Sequence, residues 1–246
     1  MSDDQGSPGR RKIRLHLTWR YLIGFAALTL LCGTSHEFAH HFSGAAICGK
    51  FGYKTFNSFE LAPGCDANPI SLWATAAGPL FTFGLMWWGL FLLRSDDERG
   101  RNFGFALIFA NFPINRLLFI LIHSNDEQWV AYRLYGHSNV AWWVAIAVVW
   151  LACVPPLVVA YRAIGNRRRW LWFTGFFVLP FLYVILFAGL FLENYLLLGQ
   201  RFLANTILGI PLLIILIEIL SLLVYHVFRE DLRGVRRHAQ PLVAAG

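Results

Sequence analysis

Six apolar stretches constrain this chain more than any motif in it: residues 21–42, 70–93, 102–123, 141–161, 170–192 and 202–228. A helix of about 20 residues crosses the hydrocarbon of a bilayer, and irregular backbone exposed to lipid there would leave its polar groups unpaired. Each stretch therefore reads as a membrane-spanning helix. Composition agrees, since 57% of the 246 residues are hydrophobic and 14% are charged, where soluble domains carry about 25% charged residues. Neither a soluble globular domain nor a disordered chain fits those values. The connections are too short to hold a core of their own, so any chemistry must lie in the helices or their loops. The expected fold class is an all-α multi-pass membrane protein with six transmembrane helices.

Charge gives the orientation. Arg10, Arg11, Lys12, Arg14 and Arg20 precede the first stretch, Arg94, Arg99 and Arg101 follow the second, Arg162 and Arg167 to Arg169 follow the fourth, and Arg229, Arg233, Arg236 and Arg237 follow the sixth. The opposite connections hold only Lys50, Lys54, Arg133 and Arg201. Both termini are accordingly expected in the cytoplasm, with 1–20 a basic N-terminal segment and 229–246 a cytoplasmic tail. The net charge of +7 is spread over alternate loops rather than gathered in a patch, which argues against nucleic acid as a partner. Because the first stretch begins after a basic segment and five more follow it, it is expected to remain as a span rather than be removed as a signal. An excess of Arg over Lys suggests a GC-rich genome, and the location expected is a bacterial inner membrane.

At the outer end of the first stretch stands Ser35-His36-Glu37-Phe38-Ala39-His40-His41, which contains H-E-x-x-H. A shuffled chain of this composition would hold roughly 0.007 such matches, so coincidence is a poor account of it. Positions i and i+4 share one face of a helix, so His36 and His40 can present imidazole nitrogens to a single Zn²⁺. Glu37, beside them, is placed to take a proton from a water activated by the metal. Ionisable residues at 36, 37, 40 and 41 are costly in or near hydrocarbon without such a partner. Catalytic zinc usually has three protein ligands. The third must lie on the same side of the bilayer, where Asp126, just after the third stretch, is the first choice and Glu127, His123 and Glu193 are rivals.

These residues, with Ala76-Ala77-Gly78-Pro79-Leu80 opening the second stretch and Asn111 and Pro113 in the third, resemble the site-2 protease group of intramembrane zinc metalloproteases. The likeness covers 21–130, leaving 131–228 as accessory helices. It implies a zinc endopeptidase acting on a membrane-anchored or membrane-proximal polypeptide within the lipid bilayer, with His36, His40 and Asp126 as ligands, Glu37 as general base and Asn111 as a substrate contact. The family's third motif reads Asn-x-x-Pro with Asp-Gly close behind. Here Asn-Phe-Pro precedes Asp126 by more than three helical turns, and Glu127 stands where the Gly would be. The resemblance also implies a β element between the first two core helices. Loop 50–67 has Phe51, Tyr53, Phe56, Phe59 and Leu61 loosely alternating with polar residues, then Pro63-Gly64, so a short β-hairpin is expected there, with an amphipathic loop lying on the membrane as the other reading.

Arg116 is a charge inside the third stretch, at a depth comparable with the H-E-x-x-H turn. It reads either as a group that stabilises the transition state or as a structural partner of Glu37 or Glu218. Cys48 and Cys65 flank loop 50–67 on the outer side, where a disulfide can persist. Two other classes compete. Membrane di-iron hydroxylases need about eight clustered His, whereas the five besides His36, His40 and His41 are scattered here. A non-catalytic transporter or scaffold would use the His cluster as a metal or proton site.

Overall fold

The computed structural model describes residues 12–123 and 125–234. Arg10, Arg11, Arg236 and Arg237, which enter the charge argument, lie outside the described residues. The chain is mostly helical, with six helical segments long and apolar enough to cross a membrane. The helices are α1 (Trp19–Cys48), α2 (Leu72–Leu93), α3 (Glu98–Ala110), α4 (Pro113–Phe119), α5 (Asp126–Tyr135), α6 (Asn139–Ala163), α7 (Arg169–Tyr183) and α8 (Leu212–Leu232). Beyond α7 the fifth span continues through Val184–Gly199 as a wider π-helix.

The first three spans form the packed centre. Thr18 caps α1 by accepting a hydrogen bond from the Tyr21 N–H, and Gly49, with φ 68°, closes its far end. Small residues bring α2 and α3 together: a Cβ on Gly89 would lie 2.8 Å from the Gly104 carbonyl oxygen, so the two backbones touch. Phe105, Phe109 and Phe176 meet there in tilted and edge-on ring pairs. Buried Met86, Leu90, Ile108 and Val149 continue the same core.

The third stretch is not one continuous helix, as the hydropathy pattern alone suggests. Asn111 ends α3, Phe112 takes a left-handed conformation at φ 34°, and Pro113 opens α4. Proline cannot donate the hydrogen bond that would continue α3 and disfavours helical backbone in the residue before it. The sixth stretch also begins later than the apolar run that starts at 202. Residues Thr206–Ile207 (β1) and Ile210–Pro211 (β2) pair antiparallel before α8 begins. The only two-stranded sheet among the described residues is therefore here and not in loop 50–67, where a single antiparallel bridge joins Lys54 and Phe59. The two features are neighbours, because the Lys54 N–H donates to the Gly209 carbonyl. Cys48 and Cys65 are joined, with Cα atoms 5.6 Å apart, closing the loop between the first two spans.

Candidate metal centre

His36 and His40 lie one turn apart on the buried face of α1, 5% and 0% exposed. Their rings are edge to face with centroids 4.6 Å apart, and the two Nε2 atoms approach to 3.0 Å. Each ring is held from behind by α2. His40 Nδ1 lies 2.8 Å from the Ala74 carbonyl oxygen, which can only accept, so the neutral ring carries its proton on Nδ1 and turns an Nε2 lone pair inward. His36 Nδ1 is 2.9 Å from the Thr82 hydroxyl. Phe59, from the first loop, stacks flat on His40 with centroids 4.2 Å apart.

Asp126 completes the group. Its Oδ2 is 3.2 Å from His36 Nε2 and 3.5 Å from His40 Nε2, and one donor atom from each of the three residues falls within 4.8 Å of the other two. The chain reaches this point by reversing. His123 adopts φ 61° at the end of the third span, Asn125 Nδ2 donates to the Arg116 carbonyl at 3.1 Å, and Asp126 then starts α5 level with Arg116. That turn brings the carboxylate back to the His pair across the long separation from Asn111.

The donor set suits a divalent ion such as zinc, with two imidazoles and a carboxylate whose far sides are already hydrogen-bonded. Gly78 supplies the room. A side chain there would overlap His40 Nε2 and His36 Cε1, so this position of α2 must be bare for the imidazoles to lie against it. Burial alone would raise the Asp126 carboxyl, but the neighbouring His36 and His40 rings and the Arg116 charge hold it well below the usual carboxylate range. It is thus an anion at neutral pH.

Of the rivals for third ligand, none joins the group. Glu127 is buried 3.7 Å from Arg116 Nη1, His123 interacts with Tyr132 and Gln128 and stacks on Trp142, and Glu193 accepts a hydrogen bond from Asn57 at 2.7 Å. Arg116 pairs with neither Glu37 nor Glu218. Its Nη1 donates to Asp126 Oδ2 at 3.1 Å, and its Nη2 approaches His36 Nε2 at 2.6 Å. Asn111 is buried, with its amide turned back onto the Leu107 carbonyl. Asn115, one turn further on, lines the cavity in its place.

That cavity, about 620 Å³, is bordered by His36, Glu37, Arg116 and Asp126 on one side. Residues 56–59 of the first loop and 181–194 of the fifth span face them. The Asn57–Glu193 hydrogen bond ties those two walls together. Sequence reasoning missed Lys54. It is fully buried, its Nζ donates to the Thr55 carbonyl at 2.9 Å, and it lies 4.3 Å from the Phe38 ring centroid. Its only signal in the sequence is a cation placed between the aromatic residues Tyr53 and Phe56.

No family model, curated protein or solved structure matches the chain. What the site does must therefore be read from its own chemistry.

Proposed function

We propose that the protein is a zinc-dependent endopeptidase that hydrolyses peptide bonds of membrane-anchored or membrane-proximal polypeptides. One observation carries this reading: the donor atoms of His36, His40 and Asp126 converge within 4.8 Å, at the edge of a cavity that Glu37 also lines. The three residues would hold the ion, which supplies Lewis acidity and makes water a nucleophile near neutral pH. Glu37 would act as general base, taking a proton from the water that adds to the carbonyl carbon, and then as general acid, returning one to the nitrogen as the C–N bond breaks. Arg116 holds Asp126 by a direct hydrogen bond and places positive charge beside the reacting carbonyl.

Six spans with an even number of crossings put both termini on one side. The excess of arginine on that side supports a cytoplasmic location for them in a bacterial inner membrane, with the metal centre toward the opposite face. Cleavage is thus expected near the extracytoplasmic surface. The test is Glu37→Gln in purified, reconstituted protein: zinc should be retained while cleavage of a membrane-anchored test polypeptide falls by about 10²- to 10⁴-fold. Undiminished cleavage would end the enzyme reading. Zinc retention with no cleavage by the wild type, over a panel of anchored substrates, would favour a non-catalytic metal site.

A further inference from the structure

Among the described residues, grooves besides the metal cavity open between helices, and the charges of three of them differ. One, between α1 and α7, is lined by Leu17, Leu22, Phe25, Leu171 and Phe176 and has no charged side chain. A second, among α1, α2 and α3, carries Arg99 and Arg233 but also Asp97, so its charges are mixed. The third, about 500 Å³ between α6 and α7, has an apolar floor of Val154, Leu157, Val158 and Phe173, with Arg162 and Arg169 at its end and no acidic residue.

We propose that this third groove binds an anionic phospholipid, its phosphate between Arg162 and Arg169 and an acyl chain along Val154, Leu157 and Val158. The inference rests on the helices crossing a bilayer and does not depend on the protease reading. Both arginines are exposed, and Arg169 is steadied by the Tyr161 ring, 4.8 Å from its guanidinium carbon. Tyr161 is in turn braced edge-on by Phe173 at 5.4 Å.

The turn between the two helix ends that carry the arginines is tied to the N-terminal segment. Ile13 N–H donates to the Ala163 carbonyl, Gly165 N–H donates to the Ile13 carbonyl, and the Asn166 side chain both accepts from Leu15 N–H and donates to its carbonyl. This short parallel pairing holds the turn between α6 and α7, so the two cationic ends stay at one level. The charge excess places that level at the headgroups of a membrane leaflet, where paired cations above an apolar groove complement a lipid that is acidic at one end and hydrocarbon below.

Native mass spectrometry of the full chain in detergent, titrated with phosphatidylglycerol or phosphatidylcholine, tests this. Wild type should bind the anionic lipid at least about fivefold more tightly, the factor one arginine contributes near an anionic surface. Arg162→Gln with Arg169→Gln should bring the two lipids within about twofold of each other, while Arg99→Gln, in the mixed-charge groove, should leave the preference intact. Val158→Trp fills the groove without touching the charges and should weaken binding of both lipids. The proposal is overturned if wild type shows no headgroup preference, if the preference survives loss of both arginines, or if Val158→Trp binds lipid as wild type does. Displacement of the lipid by millimolar inorganic phosphate would show a free-phosphate site and would likewise overturn it.

Discussion

The third span and the fifth are both apolar helices, yet they are built for different work. More than half of the third span's apolar stretch is buried within the fold, against less than a quarter of the fifth's. The third carries Arg116 and delivers Asp126, is broken by Pro113, and meets α2 at touching glycines. The fifth contributes an apolar wall to the cavity and is tied to the first loop through Asn57 and Glu193. Polar groups in a low-dielectric interior cost too much unless every neighbour is placed for them, so the site belongs on the crowded helices. A wall needs only to exclude water.

The comparison can be broken most decisively at Gly78. Replacing it with Ala puts a methyl group where the two imidazoles lie. Bound metal should be lost from the purified protein, with a stability cost of about 1–3 kcal/mol from overpacking. Metal retention at wild-type levels would mean that α2 does not confine the His pair.

Arg116→Met should leave the largest mark on stability itself. It leaves Glu127 buried without its 3.7 Å ion partner, and unfolding in detergent should become easier by about 3 kcal/mol. Adding Glu127→Leu should recover part of that loss. Simple additivity of the two would show that the pair is not coupled.

Lys54 sharpens the contrast from the loop side. Burial pushes its ammonium down from the ordinary 10.5 to about 8, against the carboxylates of Glu37, Glu218 and Glu193, which pull it back up. Between about 8 and 10.5 the unfolded chain therefore holds a proton that the folded chain has released, and stability should rise with pH across that window. Lys54→Met should abolish the rise and leave the protein near neutral pH as stable as wild type or more so. An unchanged pH profile would mean the amine is solvated.

The smallest effect is expected at the outer wall. Asn57→Ala removes one exposed hydrogen bond to Glu193 and should change stability by no more than about 1 kcal/mol. A collapse of the fold on this substitution would show the fifth span to be structural after all.

Much of this architecture was legible in the sequence because lipid-spanning helices need long apolar runs, and the six that hydropathy marks correspond to six long helical segments. What hydropathy did not resolve were its interruptions. Residues 202–211 are apolar enough to read as helix, yet Leu208 and Gly209 both take positive φ in a tight turn, and a short apolar run does not by its period distinguish strand from helix. Gly209 and Pro211 were the available turn signals.

At the site, His36 and His40 are legible because four-residue spacing in a helix fixes their relation. Asp126 was legible only as one candidate among four, since its position depends on a reversal at His123 and Asn125. Ala74 and Thr82, which orient the imidazoles, carry no mark in the sequence. One acts through a backbone carbonyl and the other is a common residue on an apolar helix.

The most direct measurement is the metal content of purified wild type beside His36→Ala, both grown in zinc-replete medium and shown to be folded. About one zinc ion per chain is expected in the wild type and none above background in the variant. A folded wild type free of metal, or a variant that holds as much as its parent, would contradict the claim that His36, His40 and Asp126 grip a single ion.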